Sequence, residues 1–376
     1  MTRHIISGAA IFDGMQMLHN HIVMIEDGMI AAILPGTEPL DGPHLILKGG
    51  TIAPGLIDLQ VNGGGGIMLD GAANLDRLTQ ICAVHAGLGA TGILPTLITD
   101  TPAATATVIA AGIAAARANV PGFLGLHLEG SHLDPRRHGA HDPALIRPMR
   151  AADLANICTA AANLPALMVT LAPASVTPDQ IAHLTRAGVV VSLGHAECSY
   201  DQAMSAIDAG ARCATHLFNA MTQLGNREPG LVGAVLDSGI HAGLIADGLH
   251  VHPASLRIAL AARDDGLFLV SDSMAVAGTD LTRFTMGGRD ILRHNGRLTL
   301  ADGTLAGADL SLPQAIAYLI RTLGIAPARA LAMASRIPAA LIGAQAGQLR
   351  CGRAANLIHF DANWQLAGTW QNGIRV

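Results

Sequence analysis

Aromatic residues are scarce in this 376-residue chain, at 3%, with only 2 Trp, 2 Tyr and 6 Phe. Ala, Val, Ile and Leu must therefore fill the core, which suits an α/β protein with small, closely packed helices. The five cysteines, Cys82, Cys158, Cys198, Cys213 and Cys351, are odd in number, widely spaced and without a C-x-x-C pair. That pattern excludes a disulfide framework and a thiolate zinc site, and it predicts reduced thiols in a cytoplasmic protein. Long apolar runs are missing too. The longest uncharged helical stretch, from Thr101 to Ala116, is too short for a membrane span, and the apolar start is broken by Asp13-Gly14 without a signal-peptide pattern. A soluble protein is expected. Charge is sparse, with a net value of −5 and 23 scattered basic residues, which argues against nucleic acid as a partner. What the chain does have is histidine, 17 residues of it, the side chain most used for metal ligation and proton transfer near neutral pH.

Up to about residue 50 the sequence alternates apolar and polar residues, as in His21-Ile-Val-Met and Met29-Ile-Ala-Ala-Ile-Leu, with turns at Asp13-Gly14 and Asp27-Gly28. The stretch from Ala354 to Val376 repeats the style, with Asn372-Gly373 as a hairpin signal. The two ends are expected to form one small β-sandwich domain (1–52 with 346–376) around an inserted body (53–345). In that body, short apolar strands alternate with Ala-rich helical segments such as Leu75 to His85, Ala103 to Ala118, Pro178 to Ala187 and Pro253 to Arg263. Eight strands are predicted: Gly55 to Gln60, Gly92 to Ile98, Phe123 to Glu129, Ala166 to Leu171, Val189 to His195, Cys213 to His216, His241 to Asp247, and Gly266 to Asp272. Eight strand-helix units are the count of a (β/α)8 TIM-like barrel, whose active site lies at the carboxyl ends of its strands. A doubly wound open sheet is the alternative. It calls for a G-x-G-x-x-G turn after the first strand, and Asn62-Gly-Gly-Gly-Gly66 is not that pattern.

Glu129, His195 and His216 close three of these strands, and together they form a donor set suited to Zn²⁺ or a similar divalent ion with a position left for water. Either histidine alone reads best as a polar strand end satisfied by backbone; three donors at equivalent ends of one barrel do not. Asp272 ends the eighth strand outside that set, where it can carry a proton between water and a leaving group. Gln60 and Asn62 close the first strand with neutral amides, which are poor zinc ligands, and the only lysine, Lys48, lies outside the barrel, so none is available for a carboxylated metal bridge. Both features predict one metal ion per chain. In the loop after Glu129, His141 is a candidate to polarise a substrate carbonyl, with solvent exposure as the plain alternative. Arg227, His250 and the backbone at Asn219-Ala220, if a helix begins there, are candidate anion contacts.

Taken in order, Ala53-Pro-Gly-Leu-Ile-Asp-Leu-Gln-Val-Asn-Gly63, Leu94-Pro-Thr-Leu-Ile-Thr99, Gly125-Leu-His-Leu-Glu-Gly130, Ser192-Leu-Gly-His195, Ala214-Thr-His-Leu-Phe-Asn-Ala-Met221, Ala246-Asp-Gly-Leu-His-Val251, Ser271-Asp272 and Gly303-Thr-Leu-Ala-Gly307 resemble the N-acetylglucosamine-6-phosphate deacetylases of the amidohydrolase superfamily over nearly the whole chain. The resemblance implies a metal held by Glu129, His195 and His216, most simply Zn²⁺, with Asp272 as acid–base residue and His141 on the acetyl carbonyl. It implies a sugar phosphate at Asn219, Ala220, Arg227, His250 and Leu305, with Arg227 and His250 reaching in from the neighbouring subunit of a homodimer. Ser131-His132 and Ser273-Met274 depart from the family pattern. Both are expected near the sugar, with His132 a rival to His141 for the carbonyl.

Overall fold

The computed structural model describes residues 3–37 and 42–376; residues 1–2 and 38–41 of the expected N-terminal unit lie outside the described residues. Eight parallel strands form the central sheet in chain order: Leu56–Val61, Ala90–Ile98, Leu126–Glu129, Leu167–Leu171, Val190–Leu193, Cys213–Ala214, His241–Leu244 and Leu267–Leu269. Each pairs with the next. The ends of the row meet through a parallel bridge between Val61 and Ser273, with Asn62 N donating to Ser273 O at 2.8 Å and Asp272 N to Gln60 O at 3.1 Å. The architecture is the expected (β/α)8 barrel. Nearly every strand residue is buried, because the inner face meets the barrel interior and the outer face meets helices, which is why the strands read as continuous apolar runs.

One outer helix follows each strand: Leu75–Gly87, Pro102–Arg117, Ala151–Ala161, Pro178–Arg186, Tyr200–Asp208, Gly230–Ser238, Pro253–Ala262 and Leu312–Leu323. Their starts are written locally. Asn74 and Thr101 accept from backbone N–H groups of the first turn, and Thr177 with Gln180 and Ser199 with Gln202 form capping boxes. Among the described residues no helix is long and apolar enough to cross a membrane.

Both chain ends join in the smaller domain. Thr51–Pro54 pairs with Ala10–Phe12 on one side and with Leu357–Phe360 on the other, in a sheet that continues to Leu366–Gln371 and Ile374–Arg375. A second sheet of Arg3–Ser7, His21–Glu26, Met29–Pro35 and His44–Ile46 contributes Ile6, Val23, Ile25 and Ile30 to an apolar cluster, which Ile11, Ile52, Leu357 and Trp370 of the first sheet complete.

Two features differ from the sequence reading. Three of the predicted strands stop short of their functional residues: the fifth ends at Leu193, the sixth at Ala214 and the eighth at Leu269, so His195, His216 and Asp272 lie in the turns beyond. An antiparallel sheet of Arg283–Met286, Arg289–His294, Arg297–Thr299 and Leu305–Ala308 follows the eighth strand, where none was expected. Its buried face, with Phe284, Met286, Ile291, Leu298 and Ala306, packs on Met274, Ala275 and Val276, and Met68, Ile98 and Ala140 at the barrel mouth pack against the same cluster.

Candidate active site

Glu129, His195, His216, Asp272 and His141 are all buried and all line one cavity of about 260 Å³ at the carboxyl ends of the strands. His195, His216 and Asp272 have φ of +47°, +30° and +49°, the left-handed region that non-glycine residues seldom adopt. Such strain clusters at functional sites, and here it turns each side chain out of the strand direction toward the cavity. The residue before His195 is glycine for lack of space: a Cβ on Gly194 would stand 2.9 Å from Thr170 Cγ2 and 3.0 Å from Thr215 Cβ.

Glu129 Oε1 lies 3.1 Å from His216 Nε2 and 3.4 Å from His195 Nε2, and the two Nε2 atoms are 3.0 Å apart. The hydrogen bonds define the tautomers. His195 Nδ1 sits 2.8 Å from Arg137 O, a carbonyl that only accepts, so its Nδ1 carries the proton and its Nε2 lone pair faces Glu129. His141 is the reverse case. Thr99 N donates to its Nδ1 at 3.2 Å, which leaves the proton on Nε2, 4.0 Å from Glu129 Oε2. Thus Glu129, His141 and His195 are close enough together to hold an ion, yet His141 is arranged as a donor and His195 as a ligand. Burial opposes charge on both Glu129 and His216, but the closeness of the two imidazoles to the carboxylate prevails: the Glu129 carboxyl is held well below its usual range and the His216 imidazole, hydrogen-bonded to it, is raised. These shifts have the direction of a site built around positive charge, and a carboxylate with two converging ring nitrogens fits a divalent cation. A ligating imidazole oriented by a carbonyl on its other nitrogen is the usual arrangement around such ions.

Asp272 Oδ1 accepts from Asn62 Nδ2 at 2.7 Å and from Gln60 Nε2 at 3.1 Å, and Gln60 Nε2 also donates to Glu129 Oε1 at 3.1 Å. The amides at the end of the first strand therefore tie the carboxylates together. Burial, reinforced by the nearby Glu129 charge, pushes the Asp272 carboxyl up to about 6, a suitable range for a group that takes and returns a proton. Burial, followed by the neighbouring His195, holds His141 well below the ordinary histidine range, so it is a neutral donor.

Asn219, Ala220, His250 and Leu305 line the same cavity. No helix starts at Asn219-Ala220; positive φ at His216, Phe218 and Ala220 makes a turn there instead, and the next helix begins at Gly230. His250 is held by Asp247, with its Nδ1 2.6 Å from Asp247 Oδ2, and lines the cavity of its own chain, so the expectation that it must come from a second subunit is corrected. Arg227 sits on an exposed segment and does not line this cavity. Two further corrections concern the departures from the family pattern. Gly130, at φ +99°, turns the chain away after Glu129, so Ser131 and His132 line a separate cleft between Pro102–Arg117 and Ala151–Ala161, where His132 Nδ1 meets Arg147 O at 3.0 Å. His132 is therefore not a carbonyl contact. Ser273 is spent on barrel closure, and only Met274 faces the cavity.

Several contributors carried no role in the sequence reading. Thr99 orients His141, the Arg137 carbonyl orients His195, and Arg289 donates to Ala140 O beside His141. Thr99 directly follows the second strand, and that position is the one signal that marks it.

A fold and site of this kind define a class. The amidohydrolase family model matches residues 51–374, and the chain belongs to the amidohydrolase family. Among curated relatives, the N-acetylgalactosamine-6-phosphate deacetylase of Shewanella sp. (strain ANA-3) is 35% identical over 98% of this chain and 95% of its own. The N-acetylglucosamine-6-phosphate deacetylase of Haemophilus influenzae is 34% identical over 99% and 98%. Among solved structures, the N-acetylglucosamine-6-phosphate deacetylase of Pasteurella multocida superposes with a TM-score of 0.95 at 31% identity, covering 100% of this chain and 99% of its own.

Proposed function

We propose that the protein hydrolyses the acetamide of N-acetylglucosamine 6-phosphate to glucosamine 6-phosphate and acetate, in amino-sugar catabolism. The observation that carries this reading is the convergence of Glu129 Oε1, His195 Nε2 and His216 Nε2 beside a buried Asp272, in a cavity that also holds the neutral donor His141. Glu129, His195 and His216 hold one divalent ion, most simply Zn²⁺, which when bound supplies Lewis acidity toward the acetyl oxygen and an acidified water. The chain's own groups do the remainder. His141 Nε2–H donates to the acetyl oxygen as negative charge grows there. Asp272 takes a proton from the attacking water and delivers it to the departing amine nitrogen. Gln60 and Asn62 hold the Asp272 carboxylate in place. Among the other residues lining the cavity, Asn219, the Ala220 backbone and His250 receive the phosphate, and Leu305 covers the sugar.

The working unit is a homodimer in which Arg227 of one copy completes its partner's phosphate site, a role supported by the exposure of Arg227 outside its own cavity. Five unpaired cysteines fit a reducing, cytoplasmic setting. A second reading changes only the sugar: two relatives at 35% identity, from Shewanella and Escherichia coli O157:H7, are N-acetylgalactosamine-6-phosphate deacetylases, so the C4 epimer competes as substrate. Acetate release by zinc-loaded protein from both phosphorylated epimers and from unphosphorylated N-acetylglucosamine tests the proposal. Release confined to phosphorylated sugars, with the higher kcat/KM on the glucosamine epimer, is expected; a preference for the galactosamine epimer favours the second reading, and no release from any of the three overturns both.

A further inference from the structure

Beneath the Glu129–His195–His216 cluster the barrel interior holds a chain of buried polar side chains that the mechanism above leaves unused. His127 precedes Glu129 by two residues on the same strand and therefore shares its inward face. Its Nε2 is 2.7 Å from Thr170 Oγ1, which is 2.6 Å from Thr215 Oγ1, which is in turn 2.6 Å from Ser192 Oγ. On the other side, His127 Nδ1 is 3.3 Å from Thr96 Oγ1, which accepts from Val61 N at 2.9 Å and donates to Leu94 O at 3.0 Å. All of these side chains are buried. A neutral imidazole donates at one nitrogen and accepts at the other, and a hydroxyl does both. Every member is satisfied when donation runs from Ser192 through Thr215 and Thr170 to His127 Nε2, and from His127 Nδ1 to Thr96.

The chain crosses the strands that carry the cation donors. His127 lies below Glu129, Thr215 directly precedes His216, and Ser192 stands below Gly194-His195. We propose that His127 is a positioning residue: its two hydrogen bonds tie the third strand to the second at Thr96 and to the fourth at Thr170, and Thr170 passes the tie on through Thr215 and Ser192, beside the turns of His216 and His195, which presets the separation of Glu129, His195 and His216 for the ion. The inference rests on the metal reading of that site. Without the imidazole the Thr170 hydroxyl loses its buried acceptor, a costly loss in a dry interior, and the strand ends relax against each other. Outer partners that orient metal ligands typically change affinity 10- to 100-fold when removed.

The test is the zinc dissociation constant of the full-length protein, measured by competition with a chromophoric chelator. His127→Leu is expected to weaken zinc binding roughly 10- to 100-fold and Thr170→Val roughly tenfold. His127→Gln, whose amide can still donate and accept, is expected to recover most of the loss. If His127→Leu does not fold, Thr170→Val carries the test alone. Zinc affinities within twofold of wild type for folded variants, even with lowered thermal midpoints, would overturn the positioning role and leave the network structural. A wild-type chain that takes up no zinc would instead overturn the metal reading beneath it.

Discussion

Asn62 Nδ2 lies 2.7 Å from Asp272 Oδ1, across the seam where the first and eighth strands close the barrel. The seam that completes the fold therefore also holds the proposed proton carrier.

Replacing Asp272 with Asn preserves the shape and removes the base. General acid–base groups contribute about 10²- to 10⁴-fold, so kcat should fall by that order while zinc stoichiometry stays at one per chain. Steady-state kinetics with metal analysis checks this, and near-normal turnover would remove Asp272 from the mechanism.

Asn62→Leu deletes one of the two amide donors to that carboxylate. A hydrogen bond to a charged group is worth about 1.5–3 kcal/mol, so kcat is expected to drop roughly 10- to 100-fold. The loss should appear in kcat more than in KM, since Asn62 acts through Asp272.

The phosphate contacts should behave in the opposite manner. His250→Ala and Arg227→Ala remove binding shared by ground and transition states, so they raise KM for the phosphorylated sugar and leave kcat near wild type. Mixed dimers of Arg227→Ala with Asp272→Asn separate the arrangements. Arg227 acting across the interface restores wild-type KM to the one competent cavity in each pair, whereas Arg227 acting within its own chain does not.

A chelator should abolish acetate release, and one equivalent of Zn²⁺ per chain should restore it. Recovery that needs two equivalents would contradict the single-ion assignment built on Gln60 and Asn62.

Asp58 gives a pH prediction separate from the chemistry. Burial pushes its carboxyl up to about 7, although Ser271 and the Gln60 backbone donate to it. Its folded value is therefore above its unfolded one, and its contribution to stability is fully present below about 4 and lost as pH rises toward 7. Asp58→Asn should flatten that part of the urea-midpoint profile between pH 4.5 and 8. Parallel wild-type and variant profiles would show that Asp58 does not titrate in that window.

The barrel was legible because strands buried on both faces leave uninterrupted apolar runs, and four of those runs, the third, fifth, sixth and eighth, pointed to Glu129, His195, His216 and Asp272. The sequence reading overran at His195, His216 and Asp272, since left-handed backbone at a non-glycine residue has no compositional signal. The orientation of His132 was hidden for a similar reason, being set by the φ of Gly130 rather than by the character of the histidine. The inserted sheet escaped notice because only one face of a strand such as Arg283–Met286 is buried, leaving short arginine-rich segments that read as loop. The tautomers of His141 and His195 depend on Thr99 and the Arg137 carbonyl, partners 42 and 58 positions away, which spacing cannot reveal.

Met286, Thr304, Leu305 and Gly307 bring the inserted sheet into the wall of the cavity, while the proposed reacting groups sit in the barrel proper. The proposed reacting groups and this part of the cavity wall thus come from separate stretches of the sequence. Met286 and Thr304 lie in that wall and outside the proposed reacting set, so substitutions there are expected to shift preference among acylated sugars more than the rate of hydrolysis, whereas Arg289 and Ala308, bonded to Ala140 O and Asp272 O, tie the same sheet to the reacting groups.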